Sequence, residues 1–348
     1  MAEGGGGMSD TQTIQAEAPA TGVETLSVQQ ALNRALADEL ASDPRVLAFG
    51  EDVGKLGGVF RVTDGLQDRF GEGRVFDTPL AESSILGVSV GLAIAGFKPV
   101  PEVQFDGFSY PAFNQIVSQV ARYRYRSRGR ITMPITLRMP SYGGIRAPEM
   151  HGESTETFWS HVAGLKVVSP ANAHEAYHLL RAAIQDPDPV IFMEPKSRYW
   201  QKSEVDFEHS GGTQGAKIVR PGKHLSILTW GAMVSRSLQA AEAAAEDGVQ
   251  VEVVDLRWLS PIDTATLVES VSRTKRAVVV HEAPRSVGVG AEVSARITER
   301  CFDVLKAPVA RVTGYDVPTP SGPLEDEYIP SVHRILLGVQ QVLEYRRG

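Results

Sequence analysis

The chain has 348 residues, 42% of them hydrophobic and 22% charged, and carries a net charge of −7. That length exceeds one compact core and predicts two ordinary domains of soluble composition. The acidic balance argues against a nucleic-acid surface, the single Cys301 excludes an internal disulfide framework and a Cys-ligated zinc or iron–sulfur site, and no apolar run reaches the roughly 18–20 residues of a membrane span.

Residues 1–24 lack the apolar core of a secretory signal and contain no Arg, which makes them a poor mitochondrial presequence. Their Gly, Ala, Thr and Pro content reads as a disordered tail in which Met8 is a second possible start. A reducing, cytoplasmic compartment fits these features. Next, "LSVQQALNRALADELASDP" has helical periodicity with a stop at Asp43-Pro44. "VLAFG" reads as a buried strand ending in the acidic pair Glu51-Asp52, followed by the glycine-rich loop "GKLGG".

Thr78-Pro79 reads as an N-cap with proline at the first helical position of a helix running to about Ala95. In that register Glu82 falls one residue late for a capping box. Ser83, Ser84, Gly87, Ser89, Gly91, Ala93 and Ala95 crowd the helix with small side chains. Interior glycines cost roughly 1 kcal/mol each against Ala, so they point to close approach by a flat ligand or a neighbouring subunit. A carboxylate at the mouth of such a helix is partly desolvated, which suits it to share a proton with a ring nitrogen.

Strand "KPVPEVQF", a helix from about Tyr110 to Arg126, strand "PITLRMP", the loop "SYGGIRAPEMHGES", strand "GLKVVSP", helix "ANAHEAYHLLRAAIQ" and strand "VIFMEP" follow. The basic run Arg122–Arg130, interleaved with Tyr123 and Tyr125, is better explained by a helix end at a subunit interface than by an RNA patch. Residues 201–216 are polar and turn-rich and read as a linker, after which strands and helices alternate again to the end. The predicted fold class is therefore α/β, with two parallel-sheet domains at about 25–200 and 217–346.

His151 lies in a Gly- and Pro-bearing loop, where a histidine is more often surface decoration than a ligand. His161 is expected to make a structural hydrogen bond, and His281, at a strand end, to lie at an interface. "GVGAEV" begins like a dinucleotide fingerprint but lacks the third glycine and the later acid.

Several stretches in order carry a family resemblance: "VLAFGEDVGKLGGVFRVTDGL", "RVFDTPLAES", "GFKPVPEVQFDGFSYPAFNQIVSQVARYRYRS", "GLKVVSPANAHEA", "PVIFMEPK", "HEAPRSVGVGAEV" and "APVARVTGYDVPTP". Together, over about Leu26–Val342, they resemble the β subunit of the thiamin-diphosphate-dependent first component of 2-oxo acid dehydrogenase complexes. "RYRYRS", "FMEPK" and "GYDVPTP" look closest to the branched-chain enzyme, 3-methyl-2-oxobutanoate dehydrogenase (2-methylpropanoyl-transferring), with the pyruvate enzyme next and acetoin dehydrogenase a further alternative.

The resemblance implies a transketolase-like pyrimidine-binding domain followed by a transketolase C-terminal-like domain. It also implies an α2β2 heterotetramer, active only with its α subunit, that decarboxylates a 2-oxo acid and passes the acyl group to the lipoyl arm of an acyltransferase component. Thiamin diphosphate would lie between the chains, with the α subunit holding the diphosphate and magnesium. "TDGL", "FDGF" and "EDGV" all lack the first glycine of a diphosphate-binding Gly-Asp-Gly signature.

By position, Glu82 matches the glutamate that hydrogen-bonds the aminopyrimidine nitrogen. Gln104, Phe108 and Leu80 match residues lining that ring, and Glu51 an acid of a proton relay between paired sites. His151 matches an active-site histidine of the lipoyl step, although the usual Tyr-His-Ser-Gln-Ser reads "EMHGES" here and Asn114 replaces a common Asp. Some members hold a structural potassium through main-chain oxygens near Thr136 and Asp186. A non-catalytic α/β scaffold and a ferredoxin-linked 2-oxo acid oxidoreductase are the readings this one displaces.

Overall fold

The computed structural model describes residues 21–346; the expected tail lies mostly outside them. The first helix, Val28–Ser42, opens on a full capping box: Ser27 Oγ accepts from the Gln30 amide at 3.1 Å, and Gln30 Oε1 accepts from the Ser27 amide at 3.0 Å. Its apolar stripe of Leu32, Leu36 and Leu40 packs with Tyr177, Leu180 and Ile184 from helix Ala173–Gln185 over one face of the main sheet.

That sheet has seven strands in the order Trp258–Ser260, Lys166–Val168, Val190–Pro195, Thr136–Ser141, Lys98–Glu102, Val46–Gly50 and Val75–Asp77. All neighbours are parallel except the first pair. A second sheet of five strands runs Ala310–Gly314, Ala277–Pro284, Leu225–Thr229, Val251–Asp255 and Lys217–Arg220, with only the last antiparallel to its neighbour. Two α/β layers with mostly parallel sheets are what the strand–helix alternation predicts.

The two halves are joined more closely than the alternation suggests. Trp258–Ser260 comes from the second half but completes the edge of the first sheet. One apolar core also runs continuously from Phe49, Leu137 and Met193 to Leu228, Val254 and Val279. The stretch read as a linker contains a strand, Lys202–Asp206, antiparallel to Val23–Ser27, so ordered chain begins ahead of residue 25. Both strands are short and each buries only one residue, which hides them from a hydrophobicity reading.

Two expected helices change form. Thr78 does not cap: its amide still bonds Gly50 O at 2.9 Å, so the chain stays extended beside strand Val46–Gly50. The helix starts later, at Glu82–Ile94 with Ala81 as its cap residue. The stretch expected as one helix from Tyr110 is broken into a 3₁₀ turn at Asp106–Ala112, single turns at Phe113–Gln115 and Tyr123–Arg126, and a π turn at Ile116–Val120 between them. Pro111 lacks an amide to donate within it. Gly164 accounts for the close approach at the break, since a Cβ there would lie 2.1 Å from Ala121 O.

The middle of the main sheet has an unusual seam. Pro99 and Pro101 sit in an interior strand, and their missing N–H groups are those that would face strand Thr136–Ser141. The ladder there reduces to Glu102 opposite Arg138 and the Val103 amide on Arg138 O at 3.1 Å. The Arg138 side chain spans the gap, donating to Glu102 Oε2 at 2.7 Å and to both oxygens of Glu194 at 2.6 and 3.0 Å. Tyr199 Oη donates to the same Glu194 carboxylate at 2.7 Å, and all four residues are buried.

Removing the single cation from this group leaves two buried carboxylates unpaired, which costs about 3–5 kcal/mol. Arg138→Met is therefore expected to lower the urea midpoint strongly, whereas Arg138→Met combined with Glu102→Leu and Glu194→Leu should recover much of the loss. An unshifted midpoint for the single variant would contradict this.

Candidate active site

Ligands of open parallel sheets bind at the carboxyl ends of the strands, and four connections converge there. Glu51 and Asp52 follow strand Val46–Gly50, and Glu82 is the first residue of its helix, after strand Val75–Asp77. Gln104–Phe108 follow strand Lys98–Glu102, and the loop with His151 follows Thr136–Ser141.

The acidic half of this edge is tied by Gln104, whose Nε2 donates to Asp52 Oδ2 at 3.0 Å and to Glu51 O at 3.4 Å. Glu51 is buried, and its Oε1 has no hydrogen-bond partner. Burial, reinforced by the charges of Glu82 and Asp52, pushes its carboxyl above the usual carboxylate range. Glu82 is half-buried at the helix start, where a negative charge meets the positive end of the helix dipole. Leu80, two residues earlier, is 81% exposed.

The aromatic half centres on His151. Its ring lies 4.5 Å from that of Phe105 and 4.8 Å, edge to face, from that of Phe108. Nδ1 lies 2.9 Å from Glu149 O, which fixes it as the donor and leaves Nε2 as the unprotonated nitrogen of the neutral ring. The orientation that the altered neighbours put in question is thus supplied by a loop carbonyl and two phenyl rings. Phe105 was not singled out in the sequence; its signal was the "QFDGF" spacing that puts it between Gln104 and Phe108.

The structure does not bring every candidate to this edge. Thr136 and Asp186 lie at the opposite, amino end of the sheet. The Asp186 carboxylate is paired with Lys166 Nζ at 2.7 and 2.8 Å, and Asp188 with Lys166 and Arg124. The carboxylates there are already neutralised, so a potassium ion would depend on main-chain oxygens. Among the described residues no group of three or more His, Cys, Asp or Glu is placed to hold a metal ion.

Two histidines depart from expectation. His161 has an exposed side chain without a hydrogen-bond partner among the described residues. His281 is fully buried inside the chain rather than at an interface, stacked 5.1 Å from Trp230, and burial pushes its pKa down to about 3. The glycines of "GVGAEV" are explained by the same ring: a Cβ on Gly290 would come within 2.5 Å of it.

Cavities of about 860 and 1060 Å3 occur elsewhere, one beside Arg124 and Tyr125 and one between the halves near Phe158 and Val289. Neither is lined by Glu51, Glu82, Gln104, Phe108 or His151.

The architecture defines a transketolase-like α/β chain. Residues 24–201 match the model of the transketolase pyrimidine-binding domain, and residues 214–335 that of the transketolase C-terminal domain. A split-gene transketolase described as an inactive beta4 tetramer superposes with a TM-score of 0.75 over 92% of this chain and 99% of that one, at 22% identity, which speaks to the fold alone. The chain is 52% identical to the 3-methyl-2-oxobutanoate dehydrogenase subunit beta of Mycobacterium tuberculosis, covering 92% of each. It is 49% identical to the pyruvate dehydrogenase E1 component subunit beta of Leifsonia xyli, covering 94% of this chain and 97% of that one. The chain belongs to the family of 2-oxo acid dehydrogenase β subunits. No helix among its described residues is long and apolar enough to cross a membrane.

Behind the His151 loop, Glu156 is fully buried with both carboxylate oxygens unpartnered, and desolvation raises its pKa to about 8. A carboxyl whose folded pKa lies above its unfolded value binds its proton more tightly when folded. Its contribution to stability is complete below about pH 4.5 and is lost as pH rises through about 8. Thermal midpoints measured from pH 5 to 8 should fall less steeply for Glu156→Gln than for the wild type; parallel curves would refute the assignment.

Proposed function

We propose that this chain is the β subunit of a branched-chain 2-oxo acid dehydrogenase, working with an α subunit in an α2β2 assembly on thiamin diphosphate. The observation that carries this reading is the convergence of Glu51, Glu82, Gln104, Phe108 and His151 on one strand-end edge. The residues present fit an aminopyrimidine ring. Glu51 offers a buried oxygen without a partner, Glu82 a half-buried carboxylate, Phe108 an aromatic surface, and Leu80 an exposed apolar wall.

When bound, thiamin diphosphate supplies the electron sink for decarboxylation of the 2-oxo acid. Glu82 would share a proton with the ring nitrogen. Gln104, tied to Asp52, would fix the edge against which the ring lies. His151, whose Nε2 is the nitrogen left free by the bond to Glu149 O, is suited to take or return a proton when the lipoyl arm of the acyltransferase component receives the acyl group. The diphosphate and its magnesium are assigned to the α subunit.

The open side of helix Glu82–Ile94 supports a partner chain. Ser84, Val88, Gly91 and Ala95 are exposed, and a Cβ on Gly91 would meet nothing within 4 Å. Packing inside this chain therefore does not explain that glycine, whereas close approach by a neighbouring subunit does.

A pyruvate-specific enzyme is the second reading, favoured by the 49% identity to the pyruvate enzyme's subunit. One methylene in an apolar pocket discriminates by only about 1–3 kcal/mol, so substrate choice needs measurement. On the co-expressed assembly, 3-methyl-2-oxobutanoate should exceed pyruvate in kcat/KM; the reverse order would assign the pyruvate enzyme.

Glu82→Gln should reduce decarboxylation, followed with an artificial electron acceptor, by about 100-fold or more, in line with losing a general acid–base group. Near-wild-type activity would remove Glu82 from the mechanism. His151→Ala should reduce lipoyl-coupled turnover more than decarboxylation alone, and equal losses would count against a lipoyl role.

A further inference from the structure

The loop that carries His151 runs from Tyr142 to Ser154 and is under backbone strain. Tyr142, Arg146 and Met150 hold φ values of 69°, 51° and 69°, a region that costs non-glycine residues energy unless the surroundings impose it. The loop's own sequence does not favour this path, so contacts from outside must select it.

Those contacts come from the other half of the chain. The Arg146 amide donates to Glu325 Oε2 at 2.6 Å, and the Gly143 amide to Glu282 Oε2 at 3.0 Å. Glu325 is 1% exposed, and its second oxygen fills the neck of the loop. A Cβ on Gly143 would lie 2.7 Å from Glu325 Oε1 and one on Gly152 3.1 Å from the same atom, so the carboxylate is wedged between the two legs. At the tip, a Cβ on Gly107 would lie 2.3 Å from Met150 O, which leaves the backbone beside His151 no slack against the segment bearing Phe105 and Phe108.

We propose that Glu325 is a positioning residue for His151. Its buried carboxylate, reaching across from the C-terminal half, pins the neck of the loop and so holds the imidazole against Phe105 and Phe108. Glu325 itself bonds the loop backbone rather than the histidine ring. The proposal rests on reading His151 as the group that serves the lipoyl step, and it adds that the C-terminal half sets the geometry of that step.

The test uses the co-expressed α–β assembly carrying Glu325→Gln, which keeps the shape and removes the charge. Losing a charge-assisted bond to the partly buried Arg146 amide should speed hydrogen exchange in a peptide spanning 143–146 by about tenfold, with exchange in strand Thr136–Ser141 unchanged. Lipoyl-coupled turnover should fall more than decarboxylation, and Glu325→Gln combined with His151→Ala should be no slower than His151→Ala alone.

If Glu325→Gln does not assemble, Glu325→Asp, which keeps the charge but withdraws it from the neck, should show the same faster exchange. Unchanged loop exchange overturns the pinning, and multiplicative losses in the double variant overturn its action through His151. Wild-type coupled turnover in His151→Ala overturns the underlying reading of His151 instead, and the functional part of the proposal with it.

Discussion

Arg138 holds the part of the main sheet from which Gln104, Phe108 and the His151 loop emerge. Pro99 and Pro101 remove two ladder donors from the junction between strands Lys98–Glu102 and Thr136–Ser141, and one buried guanidinium bridges the seam to Glu102 while gripping Glu194 on the far side. The three strands it ties lead directly into the site. Glu102 precedes Gln104 and Phe108, Arg138 precedes the loop of His151, and Glu194 precedes Lys196, whose buried Nζ lies 5.7 Å from the centre of the Phe105 ring. A buried ion group is weak evidence for net stability, since desolvation opposes the Coulomb gain. Its value here is geometric: a bidentate guanidinium fixes the relative level of the strands where ladder bonds cannot.

The edge above that seam is rich in acid. The charge of Glu82 adds to the rise of the Glu51 carboxyl, and Asp106, Glu156 and Glu282 are buried beside the His151 loop. Burial raises Asp106 to about 7, with the Lys196 charge opposing the rise. Such an arrangement is expensive to fold around and suits groups that share or keep protons near neutral pH. It also fits an incomplete site, because an exposed Leu80 and an open helix face beside these acids would be covered by a second chain.

The division into two α/β halves is real in topology but not in packing. A strand from the second half edges the first sheet, one apolar core crosses between them, and two carboxylates of the second half hold the backbone of a loop in the first. The strand-end edge that carries the candidate site belongs to the first half, yet carboxylates of the second half hold the backbone of its strained loop.

The sequence by itself determined what depends on a few neighbouring residues. Alternating apolar strands and periodic helices specified parallel α/β layers, the periodicity after Leu26 specified the first helix, and ordered motifs specified the family and pointed to Glu51, Glu82, Gln104, Phe108 and His151. Tertiary structure decided what depends on partners distant along the chain. Thr78 failed as a cap because its amide belongs to the ladder with Gly50, a contact that local register does not reveal. His281 left the interface for a stack on Trp230, and the "GVG" glycines proved to make room for its ring. The hydrogen bonds that set the His151 loop join residues 139 and 179 positions apart. Periodicity and motif spacing report only on the neighbourhood of each residue, and the carboxylates of Glu282 and Glu325 gain their meaning only when folding carries them to the loop.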